Sequence, residues 1–208
     1  MRRRWLARTG VGVLVIAALA AGRAVTDAMP LTPDGARMAA APFVRDGEVG
    51  NPLDLRWAEI EVTRVREAAA VDYLTLVGSP GVFVVVDLRV VAKQEPRHLG
   101  GLHLVDREGR RYDRDTRTGF TFTQAPTGID WYITVAFDVP PEALPGLELE
   151  VAIGEDPWWD NRRDEIGHVD LGLGEDDVER FTGTRDIISD FQAGPTPPET
   201  EPLGELDE

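Results

Sequence analysis

Serine chemistry in this chain would have to run through Ser79, in "GSPG", or Ser189, near the C-terminus, because there is no third serine. Neither stands in the G-x-S-x-G turn that lifts a nucleophile above a sheet. A triad would need one of them beside His98, His103 or His168, and nothing in the spacing favours that arrangement. None of the three histidines has a partner four residues away, as a helical metal pair requires, so all three read as structural or solvated groups. The chain contains no cysteine, which excludes disulfides, thiolate metal sites and thiol nucleophiles. Carboxylates are abundant in "DREGRRYDRD" and "GEDDVE", but neither stretch has the spacing of a calcium loop. Arg110, Arg111 and Arg114 interleave with those acids as a solvated ion-pair ladder would. No glycine loop of phosphate-binding type occurs. The expectation is a protein that is not an enzyme and takes no cofactor or metal.

One stretch does suggest binding. "DPWWDNRRDE", Asp156 to Glu165, sets two adjacent tryptophans among charges. Neighbouring side chains on an extended backbone point in opposite directions, so one ring is expected to cap a β-domain while the other stays available. The candidate contact residues are Trp158, Trp159, Asp160, Arg162 and Arg163. Trp57 and Trp131 fall on alternating strand positions and read as core.

Charge narrows the choice of partner. The net charge is −15, yet residues 1–23 hold five arginines and no acid. The remainder carries 17 basic against 37 acidic residues, a surface that repels phosphate backbones and disfavours nucleic acid. The basic head precedes fourteen uncharged residues, Thr9 to Gly22, and the apolar pattern resumes after Arg23 as far as Met29. Residues 1–30 are therefore expected to form a single-pass membrane anchor, with Arg8 and Arg23 at the two interfaces. The alternative is a secretory signal cleaved near Ala18-Leu19-Ala20. In both cases the N-terminal arginines stay in the cytoplasm and the rest lies outside it.

The elements that must position these residues are strands. Residues 31–50 are rich in proline, glycine and alanine without a period, and read as a linker. From Leu53 the pattern alternates, with a one-residue shift between Trp57 and Ile60 that suggests a bulge or a change of partner. "GSPG" (Gly78 to Gly81) reads as a turn before "VFVVVDLRVVA", and "DREG" (Asp106 to Gly109) as a hairpin turn. "GFTFTQ", "DWYITVAFDVP", "LELEVAI" and "HVDLGLG" each alternate. About eight short strands without a long amphipathic helix describe an all-β, antiparallel sandwich over residues 51–174. Residues 175–208 carry eleven acids and a proline-rich end, and are expected to be a largely disordered tail. Within it "FTGTRDIISDF" could dock through Phe181, Ile187, Ile188 and Phe191.

The order "GVFVVVDLRVVAKQEP", "LHLVDREGRRYDRD", "WYITVAFDVPPEALPGLELEVA", "HVDLGLG" resembles a group of bacterial extracytoplasmic domains. These are immunoglobulin-like sandwiches of the telokin-like type, related to a secreted mycobacterial antigen. The resemblance spans roughly residues 53–174. It implies an immunoglobulin-like fold and an exported location, and it carries no catalytic residues. The expected function is a non-catalytic, membrane-tethered module that binds or scaffolds a cell-envelope or membrane protein. The alternative is a small-ligand or ion-binding domain that uses the Trp158/Trp159 loop.

Overall fold

A computed structural model describes residues 43–72, 75–118, 124–153, 165–191 and 193–198, together with the backbone of 204–205. In chain order the strands are β1 (Phe43–Glu48), β2 (Leu53–Asp54), β3 (Ala58–Asp72), β4 (Leu76–Ala92), β5 (Arg97–His98), β6 (Gly101–Val105) and β7 (Arg111–Asp113). They continue as β8 (Gln124–Ala125), β9 (Trp131–Val139), β10 (Glu148–Ala152) and β11 (Glu165–Asp170). After helix α1 (Glu175–Gly183) come β12 (Asp186–Ile188), β13 (Ala193–Gly194) and β14 (Gly204–Glu205). The anchor segment 1–30, most of the linker and the "GFTF" strand lie outside the described residues. Among those described, no helix is long and apolar enough to cross a membrane.

Alternation builds two stacked sheets, and the protein is a β-sandwich. A five-stranded sheet runs β1-β11-β10-β6-β7. A seven-stranded sheet runs β13-β9-β4-β3-β12-β14, with β2 also pairing with β3. Val84, Val86, Leu88, Ile133, Val135 and Phe137 from the larger sheet face Leu102, Leu104, Leu149, Val151 and Val169 from the smaller, all buried in one core. Because period-2 alternation puts every second residue on one face, β4 and β9 each supply a continuous apolar row to that core. The pairing is mainly antiparallel, but β1–β11 and β12–β3 are parallel.

Several sequence expectations need correction. The shift between Trp57 and Ile60 is a chain reversal: Leu53 pairs with Ile60, and Leu55 donates its N–H to the Ala58 carbonyl at 2.9 Å. The bulges lie further on, between Val62 and Arg64 and between Ala68 and Ala70. "GSPG" is not a turn but part of the 17-residue β4. Pro80 has no N–H to give a ladder, so the strand bows away from β3 there, and the Gly81 N–H is taken by Ser79 Oγ at 2.8 Å. The "DREG" turn stands as expected, with Gly109 at φ 76°.

The ends of the domain also move. The last residues of the expected linker form β1, paired along all six of its residues with β11. The acidic run after Gly174 opens α1, where Glu175, Asp176 and Asp177 fill the first turn and complement the helix dipole. The Asp177 carboxylate also accepts the Gly174 N–H at 2.8 Å. Phe181 and Ile188 are buried, and Phe191 packs beside Ile188. Two or three well-placed apolar side chains anchor a segment whose average composition reads as disordered.

Candidate contact surface beside the Trp158–Trp159 loop

The loop begins where β10 ends and finishes where β11 begins, so it joins two neighbouring antiparallel strands at one end of the smaller sheet. Trp158, Trp159, Asp160, Arg162 and Arg163 lie outside the described residues. The loop's C-terminal root does not. Glu165 is buried on the inner side of β11 and joins three pieces of chain. Its Oε2 accepts the Arg56 N–H at 2.6 Å, and its Oε1 accepts from Arg45 Nε at 3.0 Å. Trp57, buried as alternation predicted, donates its indole N–H to the Glu165 carbonyl at 2.8 Å. The Arg56 N–H, helped by Arg45, holds the Glu165 carboxyl below the usual carboxylate range despite its burial.

Beside this root the surface turns apolar. Phe43, opposite Glu165 in the register, is 63% exposed, and Val44, opposite Ile166, is 49% exposed. The Arg56 guanidinium sits 5.8 Å from the Phe43 ring centroid, within cation–π range. Among the described residues, β1 is the last strand on its side of the sheet. The sequence pattern alone did not single out Phe43, Val44, Arg45 or Arg56. The strand of Phe43, Val44 and Arg45 is six residues long, follows a proline- and alanine-rich stretch, and pairs with residues about 120 positions away, while Arg56 lies in the reversal between β2 and β3.

Phe43 and Val44 lie on opposite faces of the edge strand, and further along the outer face that Val44 shares, register lines up Asp46, His168, Glu150, His103 and Asp113 on five successive strands. His103 Nδ1 lies 2.7 Å from Asp113 Oδ1, and His168 Nε2 is 3.5 Å from Glu150 Oε2. Glu150 is also paired with Arg111. The two histidines thus meet carboxylates, not a hydroxyl. Ser79 belongs to the other sheet, where it donates to Asp138. His98 pairs across to Gln124 in the small β5–β8 ribbon. Among the described residues, no group of three or more histidines and acids could hold a metal ion.

The acids of "DREGRRYDRD" shape their own hairpin. Asp106 accepts from the backbone N–H of Glu108 and Arg110, from Arg110 Nε and from the Tyr112 hydroxyl at 2.8 Å. Burial opposes ionisation of Asp106, but these donors outweigh it and hold the carboxyl below its ordinary range.

No protein-family profile and no curated protein sequence matches this chain. Among solved structures, the yjhA protein from Bacillus subtilis is similar at 10% identity and a TM-score of 0.46, over 60% of this chain and 98% of that one. An uncharacterized β-sandwich protein from Clostridium difficile 630 is similar at 15% identity and a TM-score of 0.37, over 60% of this chain and 94% of that one.

Proposed function

We propose that this chain is a membrane-tethered, extracytoplasmic immunoglobulin-like module without catalytic activity, which holds a cell-envelope or membrane protein at the loop end of its smaller sheet. The observation that carries the reading is the exposed pair Phe43 and Val44 on the outermost described strand, next to the root of the tryptophan loop. Apolar side chains in that setting gain from being covered by a partner, and strand edges are recurrent sites of polypeptide recognition. Trp158 and Trp159 would supply the aromatic part of the contact and Arg162 and Arg163 its charged rim. The arginine-headed apolar segment 1–30 supports the tether and its orientation.

In-cell crosslinking of the tethered protein, followed by identification of what is captured, tests this. One membrane or envelope protein should be captured by the wild type and lost from Phe43→Asp and from a Trp158→Ala/Trp159→Ala pair. Capture unchanged by all of these substitutions would overturn the reading. So would a small molecule or ion that raises the melting temperature while no protein is captured.

A further inference from the structure

The segment after α1 straps the outer face of the larger sheet. β12 lies beside β3 on one side, between it and β14, and β13 lies beside β9 on the other. Between these sides, β4 forms the middle of the sheet. Two residue pairs join each end of the strap to its neighbouring long strand, Ile187–Ala70 and Ile188–Val71 to β3, then Ala193–Ile133 and Gly194–Tyr132 to β9, and β12 is also paired with β14 through Asp186–Glu205 and Ile187–Gly204. Ile188, at the β12 end, and Phe191, midway, pack on a small apolar patch of Val71, Phe83, Val85 and Ala136.

Beside that patch lies a charge cluster. Asp87 is completely buried and accepts from Arg64 Nε at 2.7 Å, Arg66 Nη2 at 2.9 Å and the Thr134 hydroxyl at 2.7 Å. Two guanidiniums against one sheet carboxylate leave an excess positive charge. The strap supplies the balance, since Arg66 Nη1 reaches both Asp190 oxygens at 3.0 and 3.2 Å and Arg64 Nη2 lies 4.0 Å away. Filling this space with apolar side chains would hold a strap at least as firmly, because desolvating charges offsets most of their attraction. What the charges add is discrimination, since the face accepts an acid at one position between two apolar side chains.

We infer that the outer face of the larger sheet is an acceptor site for an extended acidic–apolar polypeptide of Ile-x-Asp-aromatic type, which the chain fills with its own residues 186–191 and 193–194 until a segment of another protein replaces them. The occupant is a partner segment with the strap's chemistry: strand-forming ends, one isoleucine, one carboxylate and one aromatic ring. This surface lies on the opposite sheet from the tryptophan loop, and the inference stands or falls separately from the function proposed above.

The test uses the full chain and a fluorescent peptide of its own sequence from Arg185 to Gly194. The chain has no cysteine, so Tyr132→Cys with Gly194→Cys can lock the strap by oxidation. These positions are direct partners in the antiparallel register, and a Cβ at Gly194 meets nothing within 4 Å. Asp190→Arg in the chain loosens the strap and leaves the acceptor residues intact. The peptide should bind the Asp190→Arg chain at least about tenfold more tightly than wild type, because the covalent strap competes at high effective concentration. Binding should vanish in the oxidised lock, return on reduction, and fail for a peptide carrying Asp190→Arg. Equal binding to locked and reduced chains overturns the inference, and so does no binding to any form. Unfolding of the Asp190→Arg chain would make the strap core and overturn it as well. Interchain disulfides between Tyr132→Cys chains and Gly194→Cys chains would name a second copy as the occupant, against a partner protein.

Discussion

Glu165 and Trp57 tie the root of the tryptophan loop to two other stretches of chain, and their chemistry sets what should happen when either is changed. Trp57→Phe keeps most of the buried ring but removes the indole N–H, leaving the Glu165 carbonyl without that donor. A loss of about 1–2 kcal/mol is expected, read by denaturant titration. The carboxyl of Glu165 titrates lower in the folded protein than in the unfolded chain, so its stabilisation is complete above the unfolded value of about 4.3 and fades as pH falls through the folded one. Asp106, also lowered, acts in the same direction. Stability should therefore drop as pH falls below about 4, and Glu165→Gln should flatten part of that drop while costing stability at pH 7. An unaltered acid limb in Glu165→Gln would show that the junction does not carry it. Trp57 was legible in the sequence because alternation alone places it inward. Glu165 was not, since a single acid at the end of a charged loop gives no sign of its three donors.

At the scale of elements, β4 and the strap decide the stability. Val84 faces the main core, and Val84→Ala removes two buried methyls, for an expected loss of about 1–3 kcal/mol. Gly81 is a stricter position, because a Cβ there would run into the Val139 carbonyl of the neighbouring strand. Gly81→Ala should lower the melting temperature by more than Val84→Ala does, since backbone on a central strand cannot give way as a side chain can. Equal effects would mean that β4 bows further from β9 than the register implies. Ile188→Ala should cost about 2–4 kcal/mol if the strap is docked, and almost nothing if the segment is a free tail. Strand alternation made β4, β9, β10 and β11 readable from sequence. The path of "GSPG" was not readable, because the same four residues suit a turn or a proline-bearing bow, and only the pairing of Gly78 with Ala70 on β3 distinguishes them. The strap was readable only as a docking possibility through Phe181, Ile187, Ile188 and Phe191, since its strand partners are over 50 residues away in the chain.

For the molecule as a whole, composition and fold point the same way. Without cysteine, stability rests on the apolar core between two sheets, extended on the outer side by α1 and the strap. A strongly acidic body follows an arginine-headed apolar segment, and the proposed tether and the expected exclusion of nucleic acid rest on that contrast. What the sequence left unread is the surface on which the proposed contact rests, because exposure of Phe43 and Val44 depends on a parallel pairing that no local pattern encodes. The most direct measurement is a photo-crosslinking scan in living cells, with a photoreactive residue placed at Val44, at Ile129 or at Arg111 of the full chain. Ile129 serves as a control of matched exposure, at 51% against 49% for Val44, on the connection leading into β9 of the other sheet. One strong adduct to a single envelope or membrane protein is expected from Val44, and none to that protein from Ile129. Equal adducts from all three positions, or none from Val44 while another position captures the partner, would contradict it.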